Sequence, residues 1–299
     1  MWQSYALGSV IAKAFGGITD KAAFVRDTRV DTYIASFYRM FFFSIVAIIV
    51  GYAGVLGTLH FFFHWVILIV APIEVLASVM YTQLLRQVEI TSIAAVGYVA
   101  PIIFFLIDTL LLGVHLTPTQ TLGIILLAFG GIAFSIDGKT HHFKRMPLKT
   151  WSSIFFVFVV TIGAEAYSFK YLNTTYDING LSFYATLEIV VALILLGLVV
   201  YKRKTSQLFS RPARVYVPYA LAGKSLDVFY SVMYTSAITI ASVSQVSAFV
   251  ALTPLMLFLF TATAQTFFKI RLHENLDHKH TPWKLGAMVV LVVGGLLVT

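Results

Sequence analysis

Long apolar runs, separated by short polar stretches, follow one another along the whole 299-residue chain. An apolar helix needs roughly 20 residues at about 1.5 Å each to cross a hydrocarbon core of about 30 Å. Ten segments meet that length: 2–24, 31–53, 60–83, 91–112, 117–136, 150–173, 179–201, 214–237, 241–267 and 283–299. They are numbered here as spans 1 to 10. The runs are too long and continuous for tilted barrel strands, and inside lipid each spanning element must satisfy its own backbone polar groups. The expected class is therefore all-α: a polytopic membrane protein of ten transmembrane helices, with almost nothing left for a water-soluble domain.

Composition sharpens this reading. Hydrophobic residues make up 59% of the chain and charged residues 11%, against about 25% charged in a soluble domain. Span 1 carries Lys13 in its middle and no basic leader, so it reads as a mature helix and not as a signal peptide. There is no cysteine, which excludes disulfides, thiolate metal sites and cysteine nucleophiles. The net charge of +8 invites a nucleic-acid partner, but the positions of the charges argue against one.

Of the 21 Lys and Arg, 17 fall at odd-numbered connections between spans: Lys21, Arg26 and Arg29; Arg86; the stretch 139–149; the stretch 202–214; and the stretch 269–284. Cytoplasmic loops collect Lys and Arg, so the basic side is expected to be cytoplasmic, with both termini outside for an even span count. The last basic stretch contains His273-Glu274-Asn275-Leu276-Asp277-His278. A zinc-protease helix needs His-Glu-x-x-His, and Asp277 stands where the second imidazole belongs, so a solvated loop is expected and no metal.

The chain repeats itself. Glu74-Val75-Leu76-Ala77-Ser78-Val79-Met80-Tyr81-Thr82 recurs as Asp227-Val228-Phe229-Tyr230-Ser231-Val232-Met233-Tyr234-Thr235, with six of nine positions identical and an acid heading both. At the same offset of 153, Pro101 falls on Pro254 inside spans 4 and 9. Ala12-Lys13-Ala14-Phe15 matches Ala164-Glu165-Ala166-Tyr167, Ser36-Phe37-Tyr38 matches Ser182-Phe183-Tyr184, and Thr117-Pro118 with Gly123 matches Thr281-Pro282 with Gly286. Five helices repeated give a first unit over 1–137, a basic linker over 138–149 and a second unit over 150–299. An odd number of helices per unit inserts the second from the opposite side, the inverted-repeat plan of many secondary transporters.

These features, with Ser36-Phe37-Tyr38-Arg39 opening span 2, the prolines of spans 4 and 9, and the Leu-Thr-Pro…Leu-Gly entry to span 5, resemble the drug/metabolite transporter superfamily in its EamA-like branch. The resemblance covers essentially the whole chain. His115 departs from the pattern, standing where the family usually has a Glu before Leu-Thr-Pro. The resemblance implies a cavity lined by spans including 1, 3, 6 and 8, and cytoplasmic termini. That orientation is opposite to the one from the charge count, and both stay open at this point.

Charged side chains at bilayer depth cost at least about 2.5–3.5 kcal/mol each, so each marks a candidate site. Glu74, Ser78 and Tyr81 share one face of span 3, and Asp227, Ser231 and Tyr234 share one face of span 8. These stripes are expected to bind a cationic group or take up a proton; the plainer reading is bonding between helices. Lys224, three residues before Asp227, can pair with it on the same face. Lys13 and Glu165 occupy matching places in spans 1 and 6; they grip a zwitterion from opposite sides or form a structural salt bridge. Arg39 is expected to snorkel to lipid headgroups, and Asp108 and Glu188 are set aside as lying near span ends. The glycine pairs Gly130-Gly131 and Gly294-Gly295 suggest close helix packing, within the chain or between protomers of a homodimer.

The expected function is a secondary active transporter in a plasma or inner membrane. It would move a small metabolite, such as an amino acid or a related zwitterionic or cationic solute, and the expected direction is export. No phosphate-binding loop or soluble domain offers a nucleotide site, so no cofactor is expected and energy would come from gradients. Three alternatives are weaker. A lipid-linked sugar or nucleotide-sugar carrier wants more midplane cations, an intramembrane enzyme lacks a Gly-x-Ser-x-Gly or Gly-x-Gly-Asp motif, and a non-transporting subunit would tolerate loss of the acids.

Overall fold

The computed structural model describes residues 1–26, 29–57, 59–87, 99–135, 148–250, 252–253, 255–257, 259–260, 263 and 281–298. Among these residues every regular element is a helix and no strand occurs. The chain is all-α. In order, the helices are α1 (Trp2–Arg26), α2 (Thr32–Gly57), α3 (Trp65–Gln87), α4 (Ala100–Leu110), α5 (Pro118–Ser135), α6 (Leu148–Phe155), α7 (Ile162–Tyr176), α8 (Gly180–Tyr201), α9 (Arg211–Ile240), α10 (Val243–Val250) and α11 (Thr281–Val298). A π-helical turn, Phe156–Thr161, joins α6 to α7 without interrupting the rod.

The segments 32–52, 65–86, 152–176 and 180–201 are long and apolar enough to cross a membrane. Helices α1 and α9 match them in length but not in apolar character, because Lys13, Asp20, Lys21, Lys224 and Asp227 lie on them. The less apolar helices are thus the ones that bring charge inward. Pro101, expected inside a span, sits in the first turn of α4, where a missing N–H leaves no broken bond. Its repeat partner Pro254, the start of span 4 at Thr91, the histidine stretch 273–280 and nearly all of the linker lie outside the described residues.

Glycine sets two of the helix contacts. A Cβ on Gly123 would lie 2.7 Å from the Val298 backbone nitrogen and 2.8 Å from the Gly294 carbonyl, so α5 and α11 meet backbone to backbone. Gly130 faces Val290 and Leu291 on the same seam, placing these glycine contacts within the chain. Helix α1 lies against α9 along its length. There a Cβ on Gly223 would come 3.0 Å from Asp20 Oδ1 and 3.8 Å from the Gly16 carbonyl. Packing of small residues is what brings helices together where apolar burial offers no contrast with lipid.

Three basic connections meet at one end of the bundle. Lys21 Nζ donates to the Leu85 carbonyl at 2.7 Å, the Arg86 guanidinium to the Val30 carbonyl, and Lys204 pairs with Asp31. Tyr38 donates to the Leu208 carbonyl at 2.6 Å. The alternation of basic and non-basic connections read from the sequence corresponds, for the described ones, to a single end of the molecule.

Candidate functional site

A cavity of about 100 Å³ lies in the middle of the bundle, between α1, α2, α3, the π turn, α7, α8 and α9. Eight of the nine candidate residues line it: Lys13, Glu74, Ser78, Tyr81, Glu165, Lys224, Asp227 and Ser231. Tyr234 does not. Its ring stacks on Tyr230 at 5.4 Å and its hydroxyl meets Ser247 at 3.2 Å, so it supports the wall from behind. Tyr230 takes the lining place instead. The i, i+3, i+4 face read from the sequence is right for Asp227 and Ser231 but has rotated past the cavity one turn later.

Charge in the site is segregated. On the α9 side Lys224 Nζ holds Asp227 Oδ2 at 2.6 Å, as the three-residue spacing predicts. Lys13 Nζ stands 4.0 Å from Asp227 Oδ1 and 4.5 Å from the Tyr230 ring centroid. Asp227 is thereby shared by two cations. The Lys13 side chain keeps 35% of its surface exposed, the Lys224 side chain 5%.

Arg39 corrects the expectation of a headgroup anchor. It lines the cavity, is 5% exposed, donates to Asp20 Oδ2 at 3.0 Å and lies over the Tyr81 ring at 4.6 Å. Asp20, 4% exposed, is the partner that makes the burial tolerable. Neither carboxylate nor guanidinium is fully satisfied, since Asp20 Oδ1 and Arg39 Nε and Nη1 lack hydrogen bonds. The sequence carried a signal for this pair, an acid and an arginine near the same ends of adjacent spans, but side-chain length alone favoured snorkelling.

The opposite wall is acidic. Glu165, on the first turn of α7, interacts with the Glu74 carboxyl of α3 and with the Tyr184 hydroxyl of α8. Glu188, set aside from sequence as near a span end, belongs to the lining and is 7% exposed. It lies eight residues past the Gly180 start of α8, roughly 12 Å along the helix. Glu74 Oε2 and Glu188 Oε2 are buried without a hydrogen-bond partner. None of the ion pairs among the described residues involves Glu74, Glu165 or Glu188.

Two features of the wall were not legible in sequence. The π turn contributes Val157, Phe158 and Thr161, with the Thr161 hydroxyl donating five residues back to the Phe156 carbonyl at 3.1 Å. Such turns concentrate at functional sites, since the widened backbone displaces the side chains that follow. Aromatic rings of Phe43, Tyr81, Phe158, Tyr184 and Tyr230 complete the lining. Asp108, the other acid set aside, is wholly buried away from the cavity. It accepts from the Ser244 backbone N–H at 2.8 Å and the Tyr167 hydroxyl at 3.1 Å, tying α4 to the start of α10 and to α7. No group of His, Asp or Glu among the described residues has the geometry of a metal site.

No protein-family model matches the chain, and no curated protein does. The fold recurs among solved structures. One, described only as "Crystal structure of protein", superposes with a TM-score of 0.67 at 14% identity, covering 99% of this chain and 96% of that one. That similarity extends over nearly the full length of both chains and concerns the fold.

Proposed function

We propose that this chain is a membrane-embedded secondary transporter that moves a small solute through the central cavity by alternating access. The observation that carries the reading is the convergence of seven ionisable side chains on one buried cavity: Lys13, Arg39, Glu74, Glu165, Glu188, Lys224 and Asp227. They come from helices long enough to cross a membrane. Charge at that depth is costly and is retained where it serves a pathway or a binding site. The outward faces are apolar, with Ile49, Leu110, Phe129, Leu193 and Val200 exposed, which suits hydrocarbon better than water.

In this reading the fold comprises two five-helix units, 1–137 and 150–299, related by an inverted repeat and similar in plan to the EamA-like branch of the drug/metabolite transporters. The cavity contributors support it: Glu74 and Asp227, Ser78 and Ser231, and Lys13 and Glu165 all occupy equivalent places in the two units and all reach the cavity. The chain is not an enzyme in this reading, needs no cofactor, and has a small-molecule substrate and the lipid bilayer as its partners.

The test is uptake of labelled amino acids and small amines into proteoliposomes, with and without a proton gradient. Flux by the wild type that disappears in a folded Glu74→Ala, Asp227→Ala double variant supports the transporter. Flux unchanged by both substitutions overturns the role given to the cavity.

A further inference from the structure

The charges of the cavity are not equally available to a ligand. Lys224 is spent on Asp227, Arg39 on Asp20, and Lys13 leans on Asp227 while covering the face of Tyr230. Each cation therefore already has a carboxylate. The three acids of the facing wall have no cation within ion-pair distance among the described residues, and Glu188, a lining residue more than nine-tenths buried, has its Oε2 atom without a hydrogen bond. A buried carboxylate without a partner is costly, and an incoming ammonium supplies the missing donors and charge together.

From this geometry we propose that the cavity is built for an organic cation, a primary amine without a carboxylate, whose ammonium sits against Glu74, Glu165 and Glu188. The walls formed by Phe158 and Tyr184 take an apolar or aromatic body beside that ammonium. A zwitterion with the same side chain binds less well. Its carboxylate has to displace Lys13 from Asp227 and Tyr230, or else stand uncompensated near Asp227. An anion with the same side chain has no ammonium to offer the acidic wall and has to compete with Asp227 for Lys13 and Lys224, or with Asp20 for Arg39. The inference rests on the transport reading for its physiological meaning, but binding itself does not require transport.

Three probes that share one ring separate these cases: 2-phenylethylamine, phenylalanine and 3-phenylpropionate. Each is titrated calorimetrically into the purified full-length chain in detergent. The expected result is an affinity for the amine at least about tenfold above that for phenylalanine, equivalent to about 1.4 kcal/mol, and no detectable binding of the acid. Glu188→Gln keeps the shape of the side chain and is expected to lower amine affinity at least about tenfold. Glu165→Gln serves as the second variant should Glu188→Gln fail to elute as a monodisperse species. Phenylalanine binding as tightly as the amine, amine affinity unmoved by both substitutions, or no binding of any probe overturns the proposal.

Proteoliposome flux of the same three probes keeps the two readings apart. An amine that binds as described but never crosses leaves the cation site standing and removes the transporter. Phenylalanine that crosses in preference to the amine does the reverse.

Discussion

Removing Arg39 isolates the Asp20 carboxylate inside the bundle. The two groups lie 3.0 Å apart with side-chain exposures of 6% and 5%, so water does not screen them. Breaking a buried pair by deleting one member typically costs about 3–5 kcal/mol, because the survivor is left charged and unpaired. The incomplete hydrogen bonding of Asp20 Oδ1 and of Arg39 Nε and Nη1 puts this pair toward the lower end, about 3 kcal/mol. Loss of the guanidinium from the Tyr81 face adds up to about 1 kcal/mol. At roughly 2 °C per kcal/mol for a chain of this size, Arg39→Met is expected to lower the unfolding midpoint by about 6–8 °C. Asp20→Asn should lower it by a similar amount, and the double variant by clearly less than the sum, since neither charge remains. With no cysteine for a thiol dye but four tryptophans in the chain, intrinsic fluorescence during heating in detergent is the natural readout. Midpoint shifts that add within error, each under about 2 °C, would refute the pair and return Arg39 to the membrane surface.

Two further outcomes test the packing. Asp108→Ala strips a buried acceptor from the first turn of α10 and from Tyr167, and is expected to cost about 2–3 kcal/mol against about 1 kcal/mol for Tyr167→Phe, measured by the same thermal assay; equal costs would mean that Ser244 finds another acceptor. A Cβ on Gly180 would overlap Thr235 Cβ, so Gly180→Ala should abolish monodisperse expression on size-exclusion chromatography, with recovery in a Thr235→Gly background but not in Thr235→Ala.

How much of this was legible in the sequence follows from which physical signals are local. Among the described residues most helices were, because apolar run length is a one-dimensional property: span 7, read as 179–201, is the helix Gly180–Tyr201. Span 3, read from 60, instead opens on a 3-10 turn and becomes α-helical only at Trp65, and most of span 9 beyond 257 lies outside the described residues. The pairing of Lys224 with Asp227 was, because it depends only on helical spacing. Arg39 and Glu188 were misjudged because their status depends on what faces them from other helices, Asp20 on α1 in one case and the acidic wall in the other. The π turn left no compositional trace, since Phe156-Val157-Phe158-Val159-Val160-Thr161 reads as any apolar helix. Tyr234 illustrates the limit of periodicity: one more turn of α9 carried it out of the cavity, and Tyr230, off the expected stripe, took its place.

The repeat and the charges together bear on how such a cavity would open. Under the proposed inverted repeat, Lys13 and Asp227 on α1 and α9 are equivalent to Glu165 and Glu74 on α7 and α3. The first pair is of opposite charge, and its helices pack along their length. The second is a pair of acids, and α3 meets the π turn and α7 over fewer residues, with the cavity beside them. Two acids in contact hold together through a shared proton but repel once both are ionised, so a cation lodged between Glu74 and Glu165 would let both ionise and still draw α3 against α7. Glu165→Lys makes the second pair resemble the first. It is expected to close that seam without ligand and to eliminate flux. The native chain lacks cysteine, so spin labels at Leu76→Cys on α3 and Phe155→Cys on α6, both exposed positions, report the seam without background. A shorter interspin distance in the Glu165→Lys chain than in its parent supports the electrostatic account; an unchanged distance distribution means that packing, and not the paired acids, holds α3 away.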